Sequence, residues 1–204
     1  MIYLLTILSA MAVIAALNLL FPAPGLTPLA VFTYVTLLTV AVIAVDGIVA
    51  FLIRRLPEAW FAPEGRIFTV GRRESAFYRT IGVKRWKDAI PDLGCFTSFP
   101  KKNLASPNDP AYTRRYLLEA AYGIVIHAAN VIDGLLILPL FPSVALRIAL
   151  PVAAVNAVLS LLPVFLLRSN FPLLLRVHRH NLKRSPLTES CDDHQNTVKE
   201  CLHS

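Results

Sequence analysis

Charge is what this sequence has least of. Only 16% of its 204 residues are Asp, Glu, Lys or Arg, while 55% are hydrophobic. A soluble domain of this size carries more charge and less apolar mass. Cysteine is scarce as well: Cys95, Cys191 and Cys201 fit no metal-ligand spacing, and all three fall on the side assigned below to the reducing cytoplasm. A disulfide framework is therefore not expected. Familiar catalytic signatures are also missing. The chain has no GxSxG elbow, P-loop, dinucleotide fingerprint, CxxC pair or His-x4-Asp acyltransferase motif. His178 and His180 stand two apart among arginines, which disfavours a bound cation, so neither a metal nor a resident cofactor is expected.

Long apolar runs are what the chain does have. Four stretches, at about 2–21, 28–53, 116–140 and 143–167, match the roughly 20 helical residues needed to cross a hydrocarbon core. Each must be helical, because an isolated strand would leave backbone groups unpaired in lipid. The first stretch lacks a charged leader, exceeds a typical signal-peptide core and is followed closely by the second, so it is expected to be retained. These features predict an all-α protein: a four-helix transmembrane bundle with an interfacial loop between helices two and three. The expected units are a first hairpin (1–53), a loop (54–115), a second hairpin (116–167) and a tail with a disordered end (168–204).

The net charge of +7 points to membrane topology, not to nucleic acid. Lysines and arginines concentrate in the central loop and beyond Leu167, whereas the turns FPAPGLT and FPS carry no charge and only Arg147 lies near them. This asymmetry predicts a multi-pass protein of the plasma membrane with both termini and the loop in the cytoplasm.

The loop mixes cations with aromatics, most densely in FYRTIGVKRWKDAIPD, from Phe77 to Asp92. That composition suits the headgroup zone, where rings sit amphipathically and cations meet anionic lipid. Residues 72–90 are expected to form one interfacial helix or two short ones ended by Pro91. A Pro-rich irregular stretch (96–112) follows. The apolar-basic run after the last span is expected to lie on the membrane surface.

The third span carries Glu119, His127, Asn130 and Asp133, which fall within one arc of about 120° at 100° per residue. Ionisable groups in lipid turn inward toward partners or a cavity. His127 lies about 12 Å deeper than Glu119 at 1.5 Å per residue. An interhelical hydrogen bond to Asp46 or Asn156 and a general-base role are both open to it, since imidazole titrates near neutrality. Asp46 has three possible partners: Arg54 or Arg55, His127, or a polar group of a substrate. Asn18 and Asn156 have the character of interhelical glue.

Three blocks, in order, resemble the glycosyl-4,4'-diaponeurosporenoate acyltransferases, membrane enzymes of staphyloxanthin-type carotenoid synthesis. The first is the loop signature with its Lys-x-Trp-Lys core, here Lys84, Trp86 and Lys87, running on to Asp88 and Pro91. The second is a Glu eight residues before a His, here Glu119 and His127. The third is Arg-x-Asn-x-Pro, here Arg168, Asn170 and Pro172. Tyr122 and Ile124 stand where the family has Arg and Glu. The resemblance implies transfer of a fatty acyl group from a thioester donor, acyl-CoA, to a sugar hydroxyl of a glycosylated membrane lipid. It implies His127 or Glu119 as base, with Lys84, Trp86, Lys87, Asp88, Arg168 and Asn170 meeting substrate; Asn130, from the polar arc, and Asp46, from the second span, are further candidate substrate contacts. The competing reading is a non-enzymatic four-helix protein, such as a small transporter subunit or an assembly factor. In that reading Asp46, His127 and Asp133 form a proton or cation relay.

Overall fold

The computed structural model describes residues 2–86 and 106–201, with side chains of the last helix as far as Arg184. All regular structure among them is helical. Helix α1 (Ile2–Leu20) and helix α2 (Pro28–Ile53) form the first hairpin. Thr27 caps α2, its hydroxyl accepting from the Ala30 N–H at 3.3 Å, and Pro28 supplies a first turn that needs no donor.

Short 3-10 turns at Glu58–Phe61 and Arg66–Phe68 lead into α3 (Arg72–Thr80) and α4 (Val83–Trp86). The expected interfacial segment is thus two short helices as far as Trp86, broken at Gly82, whose φ of 65° suits a residue without Cβ. Lys87, Asp88, Pro91, Cys95 and most of the Pro-rich stretch lie outside the described residues.

Helix α5 (Pro110–Asp133) starts six residues earlier than the apolar run suggested. Asp109 caps it, accepting from the Ala111 N–H at 2.8 Å, with Pro110 in the first turn. A 3-10 turn, α6 (Ile137–Leu140) and a π-helical stretch (Ala145–Ala149) then reverse the chain into α7 (Leu150–Cys201).

The backbone shows no boundary at 167, where the tail was expected to begin. Instead, α7 continues through Pro163 and Pro172 to Cys201. Neighbouring helices tolerate proline inside a long membrane helix. Within the apolar-basic run, Phe171, His178 and Asn181 are buried against the protein.

Four segments, Tyr3–Leu20, Pro28–Ile53, Pro110–Leu140 and Pro142–Arg184, are long and apolar enough to cross a membrane. Helix α5 packs chiefly on α7 and α2, while α1 packs on α2 and α7. The outward surfaces stay apolar, with Leu5, Leu29, Ile48 and Leu146 all exposed, as a lipid-facing exterior requires.

Two apolar cores divide the bundle along its axis. One, around Ile14, Val35, Leu38, Ile148 and Ala153, lies toward the short turns. The other, around Phe61, Leu117, Ala120, Tyr122 and Phe171, lies toward the central loop. Asn18 ties α1 to the second hairpin by donating to the Arg147 carbonyl at 3.1 Å, and Arg147 returns a bond to the Phe21 carbonyl at 2.6 Å.

Candidate functional site

Between the two cores runs a polar layer. Asn156 on α7 donates from Nδ2 to Asp46 Oδ1 at 3.2 Å and to the Asn130 carbonyl at 3.0 Å, joining α7, α2 and α5. Asp133 stands beside Asp46, carboxyl to carboxyl. Asn130 and Asp133 are only 6% and 7% exposed, so these two members of the polar arc turn inward, while Glu119 and His127 are half-buried. Among the described residues, Asn130 Oδ1 and both Asp133 carboxylate oxygens are buried without a hydrogen-bond donor. The glue role read for Asn156 is realised. The Arg54 pairing open to Asp46 is not, because Arg54 is committed elsewhere.

At the loop end, Arg54 reaches Glu119 with Nη2–Oε2 at 3.0 Å and lies 5.6 Å from the centroid of the Tyr122 ring. Tyr122 stacks on Phe61 at 4.0 Å between centroids and donates to the Leu56 carbonyl at 3.4 Å. The aromatic at 122, standing where the family has an arginine, therefore packs under an arginine supplied by α2. Arg55 lies over the Phe51 ring, 4.6 Å from its centroid.

A second clamp joins the loop to α7. Arg168 donates from Nε and Nη2 to both oxygens of Glu74, the latter at 2.9 Å, and from Nη1 to the Ile67 carbonyl at 2.7 Å. Tyr78 donates to the same Glu74 carboxylate. The Arg168 guanidinium, aided by the Tyr78 hydroxyl, holds the Glu74 carboxyl below the usual carboxylate range against the opposing effect of burial. Burial and the neighbouring carboxylate push the Tyr78 phenol up to about 12. Arg168 lies in the middle of the continuous helix α7. Asn170 is exposed.

A polar cavity of about 280 Å³ opens at this end, lined by Glu58 and Glu64 from the loop, Arg114 and Leu118 from α5, and His178 from α7. His178 is buried, with Nδ1 2.9 Å from Thr113 Oγ1. Asn181 braces α7 nearby by donating to the Pro107 carbonyl at 2.8 Å.

The expected site residues thus fall into separate groups. Asp46 and Asn130 meet in the mid-bundle layer, Glu119 belongs to the Arg54 clamp, and Arg168 belongs to the Glu74 clamp. Half-buried His127 lies on α5 between Glu119 and Asn130. Lys84 is exposed on α4, and Trp86 turns its indole N–H to the Ile81 carbonyl at 3.1 Å. No cluster of three or more metal-ligating side chains occurs among the described residues. Sequence reasoning passed over Glu74, the pairing of Arg54 with Glu119 and that of Thr113 with His178. The available signal was the i,i+4 spacing of Glu74 and Tyr78 on one helix face.

Four helices long and apolar enough to cross a membrane, with two charged clamps and a polar cavity toward the central loop among the described residues, give the character of a membrane protein. The sequence profile of the glycosyl-4,4'-diaponeurosporenoate acyltransferases matches residues 57–180, more than half of the chain. The protein belongs to this family of membrane acyltransferases of carotenoid biosynthesis. No similar curated protein and no similar solved structure is found.

Proposed function

We propose that the protein moves a fatty acyl group from a thioester donor, acyl-CoA, to a sugar hydroxyl of a membrane glycolipid or glycosylated carotenoid. The reaction belongs at the loop end of the bundle, on the cytoplasmic face of the plasma membrane. One observation carries the reading: the family match, 57–180, contains the whole lining of the polar cavity and both residues of the Arg168–Glu74 clamp. A glycosylated polyisoprenoid places its chain in lipid and its sugar at the level of that cavity.

Lys84 and Arg85, exposed on α4, suit the phosphates of the donor, and Trp86 suits the interface beside it. Lys87 and Asp88 continue that segment. Arg168 positions the loop through Glu74, and Glu119 serves as the partner of Arg54. Asp46 and Asn130 hold the helices in register through Asn156. The acceptor hydroxyl needs a base at its own level. Of the two candidates named by the resemblance, Glu119 is engaged by Arg54, and His127 lies about 12 Å further into the bilayer.

The test uses the full chain in lipid nanodiscs, supplied with acyl-CoA and a glycosylated polyisoprenoid carboxylate. The expected product is the acceptor plus one acyl chain, with release of free thiol. Proton-coupled uptake into proteoliposomes that disappears in Asp46→Asn, with no acyl product, would instead establish the carrier reading.

A further inference from the structure

We infer that His178 is the proton acceptor of the acyl transfer, with the cavity bounded by Glu58, Glu64, Arg114 and Leu118 receiving the sugar; this rests on the acyltransferase reading above. The first ground is tautomer. The Thr113 hydroxyl has one proton and faces two backbone acceptors, the Asp109 carbonyl at 3.0 Å and the Pro110 carbonyl at 3.1 Å. With that proton directed to a carbonyl, Thr113 Oγ1 accepts from His178 Nδ1–H at 2.9 Å. The imidazole then carries its lone pair on Nε2. This second nitrogen has no hydrogen-bond partner among the described residues, and the ring lines the cavity. An orienting group on one nitrogen and an open lone pair on the other is the arrangement a general base requires.

The second ground is the chemistry of the cavity. Two carboxylates and a guanidinium around about 280 Å³ offer acceptors and donors to a neutral polyol. The paired glutamates disfavour a phosphate there. Leu118 supplies an apolar wall for a sugar face. Depth is the third ground. Thr113 lies in the first turn of α5, at the interface where an amphiphile carries its sugar. His127 lies about 20 Å further along the same helix, from fourteen residues at 1.5 Å.

In the step itself, Nε2 takes the proton of the sugar hydroxyl as its oxygen forms a bond to the thioester carbonyl carbon. The tetrahedral intermediate collapses with cleavage of the C–S bond. The imidazolium returns the proton to the departing thiolate, leaving an ester and a free thiol. His178 thereby acts as a catalytic residue, and Thr113 as a positioning residue that fixes its tautomer.

The experiment uses the full chain in nanodiscs, with lauroyl-CoA as donor and octyl glucoside as acceptor probe, and measures ester formation by mass spectrometry. His178→Gln is expected to lower kcat by about 10²–10⁴-fold, and added imidazole to restore part of the activity lost in His178→Ala. Thr113→Val is expected to lower kcat with KM for the glucoside little changed, and Thr113→Ser to restore it. Ester formation by His178→Gln within threefold of the parent overturns the assignment and leaves the acyltransferase reading intact. So does loss in His127→Gln with retention in His178→Gln. If His178→Gln fails to accumulate, the threonine pair decides, and equal kcat in Thr113→Val and the parent overturns the assignment. Absence of both ester and released thiol in the parent overturns the acyltransferase reading and the assignment together.

Discussion

Replacing Arg168 by methionine keeps an unbranched apolar stem and removes the guanidinium that holds the loop to α7. The change deletes two charged hydrogen bonds to Glu74 and one to the Ile67 carbonyl, leaving Tyr78 as the remaining side-chain donor to Glu74. Hydrogen bonds to charged groups contribute roughly 1.5–3 kcal/mol each, and rupture of a fully buried pair costs about 3–5 kcal/mol. The Arg168 and Glu74 side chains retain 17% and 29% exposure, so water compensates in part, and the expected loss is about 2–3 kcal/mol. A double-mutant cycle with Glu74→Gln should return a coupling of about 1–2 kcal/mol, read by SDS-titration unfolding in micelles.

The pH dependence has a definite sign. Arg168 lowers the folded-state pKa of Glu74. The stability it contributes is therefore full above the unfolded carboxylate value, near 4.3, and is lost as pH falls through the folded value. The penalty of Arg168→Met should shrink between pH 7 and pH 3. Tyr78 runs the other way. With its folded value raised to about 12, its contribution holds below about pH 10 and fades as pH rises toward 12. A coupling below about 0.5 kcal/mol, or a penalty unchanged at pH 3, would refute this account of the clamp.

Three further outcomes follow from the geometry. Asp133→Asn gives the buried layer a donor toward Asp46 and should be neutral or stabilising by about 1–2 kcal/mol; a loss of more than 1 kcal/mol in the same unfolding assay contradicts the carboxyl-to-carboxyl placement. Asn156→Leu removes the donor shared by Asp46 and the Asn130 carbonyl and should cost about 1–2 kcal/mol, in line with interhelical bonds in membranes. Gly82→Ala forces a Cβ onto a φ of 65°. It should cost about 1–2 kcal/mol, seen as faster proteolysis between α3 and α4.

The four long apolar helices were legible because helix is the solution that long apolar runs take in lipid. The inward turn of Asn130 and Asp133 was legible because polar and ionisable groups are costly against hydrocarbon. Asn18 and Asn156 could be read as glue on the same ground. The clamps were not legible. Arg54 and Glu119 are 65 positions apart, and Arg168 and Glu74 are 94 apart, so no local period links them. The extent of α7 was hidden by the change from apolar to basic composition after Leu167 and by Pro172, through which the helix nevertheless continues. The start of α5 carried its own signal in Asp109-Pro110, an N-cap followed by a first-turn proline, overlooked inside a Pro-rich stretch. His178 was read only as a poor metal ligand, because its partner Thr113 is 65 positions away.

Lipid mass spectrometry of cells with and without the protein tests the central claim most directly. The account predicts a glycosylated membrane lipid heavier by one fatty acyl group, present only when the protein is expressed and absent with His178→Gln. Identical lipid profiles in the presence of both donor and glycosylated acceptor would contradict it.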